Sequence, residues 1–187
     1  MAAHHARPKA RWVFVGMVLD HDNDLLHGSA MAMEIERKFL LRDDSWRQSA
    51  DDGVGMRQFY LGRRDDFSVR VRIIDAAQAF LTMKTGAGLS RGEFEYEIPL
   101  ADAHDLEPAR IGRMIVKRRH RLPLGRHVIE VDVFEGDLAP LVVAEIELES
   151  EEDLLDLPAF LGPEVTGDAA YSNARLALSG LADTSSL

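Results

Sequence analysis

Glu34-Ile35-Glu36-Arg37-Lys38-Phe39-Leu40 places two carboxylates and an ammonium at every second position. Side chains at i, i+2 and i+4 of an extended strand share one face, so Glu34, Glu36 and Lys38 point the same way. Paired acids suit a hard divalent cation, and a lysine beside them suits the anion that such a cation accompanies. The stretch predicts a strand that faces a metal ion and a phosphate.

The alternation recurs along the chain. Arg70 and Arg72 share a strand face, Lys84 follows Thr82, and Glu93, Glu95 and Glu97 form an acidic row. Lys117 with Arg119, Glu130 with Asp132, and Glu145 with Glu147 repeat the pattern. The intervening positions are apolar, among them Val71, Ile73, Ile129, Val131, Ile146 and Leu148. Ordinary amphipathic strands put the charged face in water. A solvated face mixes signs because neighbouring like charges repel, whereas these pairs are same-sign along each strand. Such pairs call for an external counter-charge: divalent cations for the acids, and a polyphosphate for the arginines, whose planar forks bind phosphate oxygens bidentately. The expected result is a polar lumen with acids on one wall and bases on another.

Strand-like runs fall at 33–41, 57–62, 67–74, 79–85, 92–99, 114–122, 127–134 and 142–149. Short helices are expected at 43–49, at 102–112 and as a C-terminal pair after Ser150 and Asp168, with Gly180 as the final stop. Eight strands with few helices predict a mainly β chain with flanking helices (α+β), an eight-stranded antiparallel closed tunnel barrel with a charged lumen. The helix at 102–112 and the C-terminal pair after Ser150 and Asp168 are then expected to cover the apolar outer face. One domain spans 33–178, followed by a frayed tail at 179–187.

Residues 1–32 read as a disordered or non-native leader, with Met31 and Met33 as alternative starts. The apolar run at 12–19 is far shorter than the roughly 20 residues that span a bilayer. Asp20, Asp22 and Asp24 follow it where a signal peptide needs small residues. They lack the glycine and distal glutamate of a calcium loop.

The formal charge of −10 repels nucleic acid and anionic membranes, which leaves a small anion bound by a local basic cluster. The absence of cysteine excludes disulfides, thiolate zinc sites and cysteine nucleophiles, and it suits the cytoplasm. No phosphate-cradling glycine loop, serine elbow or His-Glu-x-x-His motif is present. His104, His120 and His127 read as surface residues.

Glu34-x-Glu36-x-Lys38 is followed in order by Ser68-Val-Arg-Val-Arg72, Thr82-Met-Lys84, Ser90-Arg-Gly-Glu93, Lys117-Arg-Arg119, Glu130-Val-Asp132 and Glu145-Ile-Glu147. In that order the chain from Met33 to about Leu178 resembles the CYTH superfamily of tunnel-type triphosphate enzymes, most of all its small bacterial inorganic triphosphatases. Glu164-Val-Thr-Gly-Asp168 and Tyr171-Ser-Asn173 resemble the family's entrance to its C-terminal helix. The resemblance implies that Arg70, Arg72, Lys84, Lys117 and Arg119 hold a triphosphate, with Glu93 and Glu95 in the same substrate-binding set. It implies that Glu34, Glu36, Asp132, Glu145 and Glu147, joined by Glu130, bind Mg²⁺ or Mn²⁺. Lys38 and Tyr60 stand at the positions of a lysine-tyrosine dyad thought to activate water. A lysine among cations would have its pKa lowered toward that of a useful base.

The implied activity is metal-dependent hydrolysis of a small triphosphate, inorganic tripolyphosphate first, by a monomer or homodimer that needs neither nucleic acid nor membrane. Adenylate cyclase, thiamine triphosphatase and a non-catalytic polyphosphate-binding module are the alternatives. No sequence feature supplies an adenine pocket, and pure anion capture would not need the acidic pairs. One departure stands out: Ala169-Ala170 replaces the family's Lys-Arg between Asp168 and Tyr171.

Overall fold

The computed structural model describes residues 35–86, 92–150 and 152–181. The leader, Glu34, Ser90-Arg91 and residues 182–187 lie outside the described residues. Among the described residues, one antiparallel sheet contains β1 (Ile35–Leu41), β2 (Val54–Arg64), β3 (Phe67–Ile74), β4 (Gln78–Thr85) and β5 (Gly92–Ile98). It continues with β6 (Ile111–Leu124), β7 (His127–Phe134), β8 (Val142–Leu148) and β9 (Leu161–Glu164). Helix α1 (Leu100–Leu106) precedes β6, and α2 (Asn173–Ser179) closes the described chain.

The strand order is β5-β4-β3-β2-β6-β7-β8-β1-β9. Among the described residues the sheet does not close into the barrel expected from the sequence: β5 and β9 are its two ends and do not pair with each other. The free edge of β1 is occupied by β9 instead, through Phe39 opposite Glu164 and Leu41 opposite Leu161. A helix was expected after Ser150. The Asp153 carboxylate instead accepts the backbone N–H groups of Glu149 and Ser150, folding the segment into a turn. Pro158 and Pro163 then disfavour a helix downstream, and Pro163 is tolerated because β9 is an edge. The helix expected at 102–112 stops at Leu106, with Pro108 in a 3-10 turn at Glu107–Ala109.

Period-2 alternation sorts the side chains. One face buries Phe39, Ile129, Val131, Ala144 and Ile146 under Trp46 and Leu161. On the same face Phe59, Val71, Ile73 and Ala79 lie under Ala103 of α1. Phe94 and Tyr96, toward the β5 end, keep 49% and 38% exposure.

Helix α2 is placed differently from expectation. Leu176 and Ala177, both fully buried, pack with Tyr60, Ile115, Phe134 and Val143. The register puts those residues on the charged face, since Tyr60 stands opposite Arg70 and Val143 opposite Asp132. The C-terminal helix therefore plugs one end of the charged side and does not cover the outer wall. Burial of Leu176 alone contributes about 1.5–3 kcal/mol. A seven-residue helix is about 10 Å long, while the five adjacent strands meeting in that cluster, β1 through Leu40 included, would span about 19 Å if flat. The sheet must curl around it. Gly112, at φ +69°, permits the close fit, because a Cβ there would lie 2.4 Å from the Ala177 carbonyl oxygen.

Candidate active site

Cross-strand register gathers the predicted residues on one face. Glu36 stands opposite Glu147 and Lys38 opposite Glu145. Glu145 is opposite Glu130, Asp132 is opposite Arg119, and Lys117 follows on the same strand face. Beyond β2, Arg70 faces Thr82, while Thr82 and Lys84 face Glu95 and Glu93. Every site residue proposed from the sequence and described in the structure lies on this face.

The counter-charges are partly internal, which corrects the argument from same-sign pairs. Along a strand the signs match, but across strands they oppose. Lys84 Nζ lies 3.0 Å and Arg70 Nη2 3.3 Å from Glu93. Thr82 donates to Glu95 at 2.8 Å, and Arg72 reaches the same carboxylate only at 3.9 Å. On the other side, Arg119 donates to both oxygens of Asp132 at 2.7 Å and to Glu145 at 2.8 Å, and it also pairs with Glu130. Lys117 pairs with Asp132, their side chains 2% and 1% exposed. Lys38 Nζ sits 3.0 Å from Glu145 and 3.4 Å from Glu36.

Between these two networks lies β2, whose charged-face residues Met56, Gln58 and Tyr60 are neutral up to the bulge that brings Arg63 opposite Ser68. Here the donors exceed the acceptors. Among the described residues Arg70 Nε, Arg72 Nε and Gln58 Nε2 are buried and have no hydrogen-bond partner. Burial, with Arg70 and Arg119 nearby, pulls the Arg72 guanidinium down to about 10. Burial likewise lowers Lys117 to about 8, although Asp132 opposes the shift. A region that makes cations costly and leaves guanidinium donors unmet is built for an anion.

Lys38 departs from expectation. Burial acts to lower its pKa, but Glu145 and Glu36 outweigh that and raise it. Its neighbours here are carboxylates, not the cations anticipated from the sequence, so it keeps its proton. Tyr60 is 5% exposed and packed beside α2.

A CYTH domain model matches residues 32–169. The inorganic triphosphatase of Acetivibrio thermocellus is 41% identical over 148 residues, covering 78% of this chain and 94% of that protein. The inorganic triphosphatase of Nitrosomonas europaea is 39% identical over 151 residues, covering 78% and 97%. The crystal structure of the inorganic triphosphatase NE1496 matches with a TM-score of 0.60 and 34% identity, over 81% of this chain and 99% of that one.

This chain belongs to the CYTH family.

Within this CYTH fold the Ala169-Ala170 departure has a definite place. Both alanines line a cavity of about 460 Å³ with Arg63, Arg175, Ser179 and Gly180, where α2 meets the end of β2. Strand β9 and the two residues after it also hold the outer edge of β1. The backbone of Lys38 donates to Thr166 Oγ1 at 3.0 Å and accepts from the Val165 N–H at 2.8 Å. Arg37 meanwhile grips Glu164 through two hydrogen bonds. Among the described residues no helix is long and apolar enough to cross a membrane.

The metal question turns on the acids. Among the described residues no cluster of three or more His, Asp or Glu side chains is assembled closely enough to hold an ion. The Asp132 oxygens are already committed to Lys117 and Arg119. Glu36 and Glu147 are a better match: like charges directly opposite on neighbouring strands repel, and both are all-oxygen donors suited to a hard cation. Lys38 already places a cationic group between Glu36 and Glu145.

Glu145 sets a pH dependence. Burial would raise its pKa, but Lys38, Arg119 and Lys117 hold it well below the ordinary range. A carboxylate depressed in the folded state adds stability above its unfolded pKa of about 4.3, and that stability is lost as pH falls. Thermal melts from pH 7 to pH 3 are expected to show Tm falling below about pH 4.5, and falling less in Glu145→Gln than in the wild type.

Proposed function

We propose that this CYTH protein hydrolyses a triphosphate, with inorganic tripolyphosphate as the first substrate and phosphate and pyrophosphate as the products. The observation that supports it best is the set of buried, unmet guanidinium donors of Arg70 and Arg72 at the centre of a face flanked by acids. The names of the two relatives point the same way.

In this reading Arg70, Arg72 and Lys84 hold one part of the substrate from β3 and β4, with Glu93 and Glu95 setting the angles of those side chains. Arg119 and Lys117 approach from β6, held by Asp132 and Glu130. Asp132 and Glu130 thus act through the two bases and not as metal ligands. Lys38 acts as a proton-bearing donor to a phosphate oxygen, in place of the base expected from the sequence, because its carboxylate neighbours favour the ammonium. Tyr60, opposite Arg70, is the hydroxyl available to orient the attacking water. Charge that develops on the transferred phosphoryl group is met by fixed guanidinium groups that need little rearrangement.

Mg²⁺ or Mn²⁺ would be held by Glu36, Glu145 and Glu147 together with Glu34, and would neutralise phosphate oxygens and position water. The functional unit is taken as residues 33–178, working in the cytoplasm as a monomer or homodimer.

Phosphate release from tripolyphosphate, thiamine triphosphate and ATP, with Mg²⁺, with Mn²⁺ and with EDTA, tests the reading, with cyclic AMP measured in parallel. Tripolyphosphate is expected to turn over fastest and EDTA to abolish release. Cyclic AMP formation from ATP would replace the reading with a cyclase. Tight binding of tripolyphosphate without release from any substrate would leave a binding module.

A further inference from the structure

Gln58 lies at the middle of the charged face and is 1% exposed. The other polar residues buried as deeply on that face have partners: Thr82 donates to Glu95, and Lys117 and Asp132 hold each other. The Gln58 Nε2 group has none among the described residues. An amide NH₂ buried without an acceptor costs about 1–3 kcal/mol, so its position needs an explanation.

Its partners in register offer no carboxylate or carbonyl side chain. Directly opposite on β3 is Arg72, and directly opposite on β6 is Ile115. Along its own strand face stand Met56 and Tyr60, the latter opposite Arg70. Gln58 therefore stands in register beside Ile115 and Arg72, with Arg70 one pair further along, and the Nε atoms of both arginines are unmet among the described residues. Three adjacent donors that lack acceptors define a place for an anionic oxygen.

We propose that Gln58 is a substrate-binding residue whose amide donates to an oxygen of the phosphoryl group held by Arg70 and Arg72. The inference rests on the triphosphate reading and adds a neutral donor to it. Neutrality has a physical reason: Arg70 and Arg119 already disfavour the charge on Arg72, and a further cation on β2 would disfavour it more. An amide adds a hydrogen bond without adding repulsion.

The test uses the full chain and tripolyphosphate titrated calorimetrically in EDTA, with KM, kcat and Tm measured alongside. Gln58→Leu is expected to weaken tripolyphosphate binding about 10- to 100-fold, as for loss of one hydrogen bond to a charged group. KM is expected to rise with kcat little changed. Tm without ligand is expected to hold or increase, because an unmet donor has been replaced by an apolar group. Gln58→Glu, which keeps the shape but repels the anion, is expected to bind more weakly than Gln58→Leu. Wild-type affinity in Gln58→Leu would overturn the assignment. So would a lower Tm with tighter binding in Gln58→Glu, which would make Gln58 an internal brace for Arg72. If the wild type itself fails to bind tripolyphosphate, the triphosphate reading falls and takes this assignment with it. If the wild type binds while the variants bind equally well, the Gln58 assignment alone falls.

Discussion

Asp132→Ala is expected to lower the unfolding free energy by about 3–5 kcal/mol, the range for removing one partner of a buried ion pair. Asp132 is 1% exposed and meets both Lys117 and Arg119, so its loss strands the buried Lys117 and takes one of three carboxylates from Arg119. Lys117, already lowered to about 8 by burial, would then give up its proton near neutral pH, which limits the loss to that range. Arg119 cannot do so and would lean on Glu130 and Glu145. Urea denaturation at pH 7 measures the difference. Tm should fall by about 6–20 °C, at roughly 2–4 °C per kcal/mol for a domain of this size. A loss below about 1 kcal/mol would show that the network behaves like a solvated surface pair. The double variant Asp132→Leu with Lys117→Met should be milder than Asp132→Ala, because it removes charge and partner together.

Arg72→Ala is the corresponding prediction for activity. A fixed donor aimed at developing charge is worth about 10²–10³ in rate, and kcat/KM for tripolyphosphate is expected to fall by that factor. Stability should move the other way or hold. Arg72 contacts Glu95 only at 3.9 Å and is disfavoured by burial and by Arg70 and Arg119, so its removal relieves strain in the unliganded protein. Arg72→Lys restores the charge without the planar fork and should recover only part of the rate. Steady-state phosphate release together with thermal melts separates the two effects. Loss of rate and of Tm in parallel would mean that Arg72 is structural.

Much of this arrangement was legible in the chain. Alternations such as Glu130-Val131-Asp132-Val133 and Arg70-Val71-Arg72-Ile73 allow one strand phase only, since a slip of one residue would bury charges and expose valines. The boundaries of β3 and β7 and the sorting of charged from apolar faces follow from that. Gln58 was not singled out, since a lone neutral residue in Gln58-Phe-Tyr-Leu61 carries no charge pattern. Its signal was positional, two residues from Tyr60 on the strand face. The strand at Leu161–Glu164 was missed because a four-residue edge segment containing Gly162 and Pro163 has no periodicity to read.

The sequence by itself determined which residues share a face, because side-chain direction alternates with the covalent chain and needs no partner strand. It also determined the family and the chemical character of that face. The tertiary structure alone decided who stands beside whom: that β6 lies next to β7, so Arg119 meets Asp132, and that β1 lies against β8, so Lys38 is held by Glu145 and keeps its proton. It decided as well that β9 takes the edge of β1 and that α2 plugs the charged side. Strand order, register and helix docking are long-range packing outcomes, and a pKa depends on the neighbours they bring together. The Glu36-x-Lys38 strand could announce charged chemistry, but its direction was set across the sheet.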